Sequence, residues 1–297
     1  MANNRVHRAY HGGALATTNV INGVTAGGLM TASVSEGFDD IVTAPHDGYD
    51  FPETDRLTAF CRGSITCQDW IEVLNVLNGT VGTYVFYEKE SGAATVTSHT
   101  LLNPTIHQAS ISLAHRGRAS ATWAFECKAA DANDTIGDLH AIVTAAEAPA
   151  ATIEYSPGLE ITAGTHGAGE ASFYHIMGLT VNVQGNLIKA SSDGDAGYTA
   201  VDVVWGGVPI TGTLTIQDRA SYQTLLTNTE SNLVLTVKQC QGASDKTLTI
   251  KNVVFSGASQ SANSAPGYTA YNLDFYVNGD QSSPLTLSGG SAAITLA

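Results

Sequence analysis

A chain of 297 residues that repeats itself once has few architectures open to it. With a constant offset of 149, residues 48–106 lie over 197–255 without a gap, and thirteen of those 59 positions are identical. Chance matching at this composition would give roughly four. The identities include Gly48/Gly197, Tyr49/Tyr198, Gly63/Gly212, Thr66/Thr215, Gln68/Gln217, Asp69/Asp218, Leu77/Leu226 and Asn103/Asn252. They fall where geometry is demanding, at strand openings and helix starts. A period this long does not fit a solenoid. It implies two copies of one fold, residues 1–148 and 149–297.

The later copy is the easier to read. Gly212–Asp218 alternates as a strand and runs into a helix start, with Asp218 as N-cap and Tyr222, Leu225 and Leu226 as the apolar face. Asn232–Lys238 and Thr247–Phe255 read as a hairpin, and Gly267–Phe275 as a closing strand. In the first half, Gly63–Cys67 is a short strand, and Asp69 with Glu72 forms a capping box ahead of Trp70, Val73, Leu74 and Leu77, with Gly79 as the stop. Thr83–Lys89, Ala94–Leu102 and Ala119–Cys127 are strands, and Ile106–Gly117 is a loop or ragged strand. Ala129–Ala148 stays open between a tail strand and a weak helix.

Near the amino terminus, residues 1–27 suit an arm or an edge strand. Leu29–Ser35 reads as a strand followed by an acidic loop, Glu36–Asp40. Ala44–Arg56 is too polar for a core and suits a long surface loop or a projecting hairpin. Gly178–Val183 matches the strand that starts at Gly28. The whole is mainly β, two tandem β domains, each with one flanking α-helix: Asp69 and Glu72 cap the first helix, Asp218 the second.

Charged residues make up only 13% of the chain, and the net charge is −14. So acidic a protein lacks the cations to grip nucleic acid through its phosphates. It could surround a duplex without holding it, although a simple acidic, soluble surface is the plainer reading. Cys61, Cys67, Cys127 and Cys240 have spacings that suggest neither zinc nor a disulfide framework, and are expected as buried thiols. No signal peptide is expected from Met1–Tyr10, and no run of eighteen apolar residues occurs, so folding in a reducing cytoplasm is expected.

Chemistry is hard to find. His7 and His11 lie on a Gly/Asn-rich terminus, a poor metal scaffold. Asp193–Gly197 opens like a calcium loop but lacks the later ligands and closing Glu, so a polar turn is the better reading. Gly164–Gly169 is glycine-rich without a following Lys-Ser/Thr, which favours a flexible loop over a phosphate cradle. Trp70 and Trp123 sit in core-like patterns, leaving Trp205 as the one tryptophan placed to stack on a sugar. No catalytic, cofactor-binding or metal-ligating residue is expected.

The segment from Leu214 to Phe275, with its strands Leu233–Lys238, Leu248–Gly257 and Gly267–Phe275, resembles the major tail tube proteins of long-tailed bacteriophages. The first half carries a looser version, departing at Pro104 (Val253 in the second half) and in a longer basic loop around Arg116. The resemblance implies β-sandwich or half-barrel domains, and protomers that meet edge to edge in stacked rings. A doubled chain implies homotrimeric rings of six equivalent domains, with DNA passing through the lumen unbound. Tape-measure, terminator and baseplate proteins are the partners it implies, with assembly in the bacterial host cytoplasm into a virion tail. The alternatives are another virion β protein (tail terminator, baseplate hub or head decoration) or a carbohydrate-binding adhesin module.

Overall fold

Strands with alternating buried and half-exposed side chains carry most of the chain. The computed structural model describes residues 19–21, 24–26, 29–43, 53–68, 83–88, 95–117, 119–127, 135–145, 159–167, 172–191, 199–204, 210–238, 245–262, 269–279, 281–283, 286–287 and 291–297. In the first half these form β1 (Asn19–Ile21), β2 (Val24–Ala26), β3 (Leu29–Thr43), β4 (Glu53–Cys67), β5 (Thr83–Glu88), β6 (Val96–Leu102), β7 (Pro104–Ala114), β8 (Ser120–Cys127), α1 (Ile136–Leu139) and β9 (His140–Ala145). The second half supplies β10 (Glu160–His166), β11 (Ile176–Gln184), β12 (Asn186–Ser191), β13 (Thr199–Val204), β14 (Thr211–Ile216), α2 (Arg219–Thr227), β15 (Ser231–Lys238), β16 (Lys246–Ala262) and β17 (Thr269–Val277). Short strands β18 (Gln281–Ser283), β19 (Thr286–Leu287), β20 (Ser291–Ala292) and β21 (Ile294–Leu296) close it.

All named pairings are antiparallel. One large sheet runs β10-β15-β16-β17-β14-β11-β7-β8-β4-β3, with β21 also on β16; a second runs β2-β1-β5-β6-β9. The protein is therefore mainly β, built around a large antiparallel sheet.

The two halves repeat the same pairing in detail. Leu29 faces Cys67 and, after a bulge, Thr31 faces Thr66; in the second half Ile176 faces Ile216 and, after a bulge, Gly178 faces Thr215. A second bulge recurs: Ile106/Gln108 against Phe125/Ala124 becomes Phe255/Gly257 against Phe275/Asp274. β5–β6 and β15–β16 also share a register, Tyr84 on Leu101 and Leu233 on Ile250. The offset is 149 on most strands, 147 from β3 to β11 and 150 from β8 to β17. Gly178 thus corresponds to Thr31, three residues past the Gly28 expected from sequence.

The repeated residues have physical causes. Gly63 faces Phe125, and Gly212 faces Phe275. A Cβ on Gly63 would collide with the carbonyl of Ser33 and stand 3.1 Å from the Phe125 ring, and one on Gly212 would meet the carbonyl of Thr180 and the Phe275 ring. Only glycine lets the aromatic ring lie across the strand. Asn103 and Asn252 both take positive φ, 47° and 52°, a region that asparagine tolerates better than other side chains. Pro104, which has no N–H to donate, opens β7 directly after Asn103, so the first half has β6 and β7 where the second has the continuous β16.

Three sequence expectations change. Glu36–Asp40 is not a loop: β3 continues to Thr43 and pairs with β4, Asp40 opposite Arg56. The backbone ladder to β4 holds a polar strand that its own pattern does not announce. Glu53–Arg56 accordingly belongs to the hairpin alternative. Gly164–His166 lies in β10, not a flexible loop: Gly164 is buried because the Phe173 ring and Leu235, 2.8 Å from a hypothetical Cβ, fill its side-chain space. Ala129–Ala148 holds both a short helix, α1, and a strand, β9. Among the described residues, no helix is long and apolar enough to cross a membrane.

Candidate functional site

Two features outside ordinary core packing stand out: the joint between the halves with the edges it leaves over, and a polar cluster inside the first half.

At the joint, β11 pairs with β7 from Gly178 opposite Ala114 to Gln184 opposite Gln108. Leu179, Val181 and Val183 face Leu113, Ile111 and Ala109, all buried, while Ser110 Oγ donates to Asn182 Oδ1 (2.9 Å) on the outer face. The turn after β7 is clasped by the start of the second half. Arg116 N donates to Leu159 O (2.6 Å), Leu159 N to Gly117 O (3.2 Å) and Ile161 N to His115 Nδ1 (3.2 Å). The basic loop around Arg116 is therefore part of the inter-half contact.

The same two strand types are left over elsewhere. β3, the counterpart of β11, ends the large sheet; among the described residues its outer edge has no partner strand. The far part of β16, the counterpart of β7, pairs with β17 on one side from Val254 to Ala262 and with no described strand on the other. Gly257–Ala262 carries no charge and no proline, the usual means of blunting an open edge.

The polar cluster joins four strands. Glu36 and Cys61 face each other across β3 and β4. His140, at the start of β9, bonds Glu36 Oε1 through Nδ1 and meets His99 Nδ1 through Nε2 at 3.1 Å. Glu36, Cys61 and His140 each place a donor atom within 4.8 Å of the others. Cys127 shares a hydrogen bond with Cys61; that contact first, and burial second, push its thiol well above the ordinary range. His99 stacks on Phe86 at 4.5 Å, nearly parallel. Cys61, Cys127 and His140 are buried, whereas the Glu36 side chain is 30% exposed.

Of the helix caps expected from sequence, Asp218 is in place: its carboxylate accepts from Ser221 N (3.0 Å), Ala220 N (3.2 Å) and Ser221 Oγ. Leu225 is buried beneath α2, with Tyr222 and Leu226 packed against the core. Asp69 and Glu72 lie outside the described residues, as do Trp70, Trp205, His7, His11, Cys240 and Asp193–Gly197. Trp123 is buried, as its pattern suggested. Sequence reasoning missed the Glu36–His140 cluster, because its members lie far apart along the chain and meet only through strand register. Neither a family model nor a curated protein matches this chain.

Proposed function

We propose that this chain is the subunit of a phage-type tail tube: an internally duplicated protein, divided near residue 148, whose copies join edge to edge into trimeric rings that stack into a conduit for DNA. The supporting observation is the β7–β11 joint. It is an edge-to-edge contact between unlike strands, and among the described residues it leaves one open edge of each type, on β3 and on the far part of β16. A contact of that heterologous kind, repeated by a rotation that closes, makes a ring in which the β3 and β16 edges are both paired. Three chains would give six half-chain units. The net charge of −14 suits a lumen that DNA crosses without sticking. Partners at the ends of such a tube would be tape-measure, terminator and baseplate proteins, and its place the virion tail. No catalytic role is proposed.

Negative-stain microscopy with analytical ultracentrifugation of the purified protein tests the reading. Threefold rings with pseudo-sixfold outline, stacking into tubes as concentration rises, are expected. Monodisperse monomers at high concentration would overturn it.

A further inference from the structure

The register correspondence allows each half to be read against the other inside the core, and at one place a whole group of neighbouring positions changes character together. Glu36, Cys61, His99, Cys127 and His140 correspond to Val183, Ile210, Leu248, Val277 and Ile294. The five residues of the second half are apolar and at most 2% exposed. In the first half all five are metal-ligand types. The space that a buried aliphatic cluster fills in one copy holds, in the other, two buried thiols and the buried His140 ring together with the half-buried His99 and the partly exposed Glu36 carboxylate. Replacing well-packed aliphatic groups by an ion pair and thiols ordinarily costs stability, unless something further engages those donors.

We propose that the first half contains a structural transition-metal site, suited to Zn²⁺, with Glu36, Cys61, Cys127 and His140 as ligands. Glu36, Cys61 and His140 already hold donor atoms within 4.8 Å of one another, and Cys127, hydrogen-bonded to Cys61 but outside that trio, completes a set of two sulfurs, one nitrogen and one oxygen suited to tetrahedral zinc once its Sγ turns toward the ion. His140 offers Nδ1 on the side of Glu36; with Nδ1 on the ion, Nε2 carries the proton and donates to His99 Nδ1, 3.1 Å away, which orients the ring, while the Phe86 stack holds His99. The ligands come from β3, β4 and β8 of the large sheet and β9 of the smaller one, so the ion ties two sheets together. The part exposure of Glu36 gives the ion its way in. This inference stands apart from the tube reading and needs no assembly.

The test is metal analysis of full-length protein purified without chelator, followed by Zn²⁺ and Co²⁺ additions to chelator-stripped protein. About one zinc per chain is expected, and Co²⁺ should give thiolate charge-transfer absorption with tetrahedral visible bands. The variant E36V/C61I/C127V/H140I copies the second half. It should fold, with the wild-type circular dichroism spectrum, and lose at least about tenfold in zinc content. Should that variant not fold, C127S and the chelator-dependent melting of the wild type carry the same decision. Chelation should lower the wild-type melting temperature, and C127S should weaken zinc binding about 10- to 100-fold. A Cys61–Cys127 disulfide in the purified protein, or absence of the cobalt spectrum in reduced wild-type protein, would overturn the site.

Discussion

Gly212 shows how closely residue identity is tied to packing. Its missing Cβ is the space occupied by the Thr180 carbonyl and the Phe275 ring, and Gly63 leaves the same space to Ser33 and Phe125. Neither neighbour can give way cheaply, because one atom is backbone and the ring is buried. Gly212→Ala should therefore destabilise by about 3 kcal/mol, the upper end of overpacking costs, as a lowered denaturant midpoint. Gly137, in α1, is the control: a Cβ there meets only Thr135 Oγ1 at 3.6 Å, so G137A should be neutral or mildly stabilising. Equal losses at both positions would refute the steric account.

At the scale of elements, α2 is the piece whose start depends on one side chain. Asp218→Ala removes the acceptor for two backbone amides and should cost about 1 kcal/mol in chemical denaturation. The Ser221 hydroxyl first, then the amides of Ser221 and Ala220, with His175 nearby, hold the Asp218 carboxyl below the usual range. With the folded pKa depressed, the cap's contribution is complete above the unfolded value of about 3.9 and fades as pH falls through the lower folded value. The wild type and D218A should therefore converge in stability only under strongly acidic conditions. Elements of this sort were legible from sequence because alternation and capping are local: β8, β14, β15 and α2 follow directly from their residues. The continuation of β3 through Glu36–Asp40 was not, since its pairing with β4, from Cys61 opposite Glu36 to Arg56 opposite Asp40, is a long-range matter. The Glu36–Cys61–Cys127–His140 cluster was still less visible. The constant offset of 149 aligns Cys61 with Ile210, but the other three ligands align with their aliphatic counterparts only through offsets of 147, 150 and 154, which emerge from the strand registers.

For the whole molecule, the internal joint supplies a template for the contact between copies. β11 meets β7 with Asn182 opposite Ser110. Moving each to its counterpart, 182 less 147 and 110 plus 149, places Ser35 of one chain opposite Ser259 of the next. Val183 opposite Ala109 likewise becomes Glu36 opposite Ala258. Ser35 and Ser259 are exposed in the single chain, and directly opposite residues on antiparallel strands have Cβ atoms about 4.5–5.5 Å apart, close enough for cysteines there to bridge with small adjustment. The double variant S35C/S259C should thus oxidise into covalently closed trimers on a non-reducing gel, while S35C and S259C alone stay monomeric under the same denaturing conditions. Shifting one cysteine by a residue, as in S35C/Q260C, should sharply reduce the yield, because neighbouring side chains on a strand point to opposite faces. Trimers from the shifted pair and none from S35C/S259C would mean that the copies meet in another register or through another surface. Linear ladders without a closed trimer would mean that the rotation built into the chain does not close.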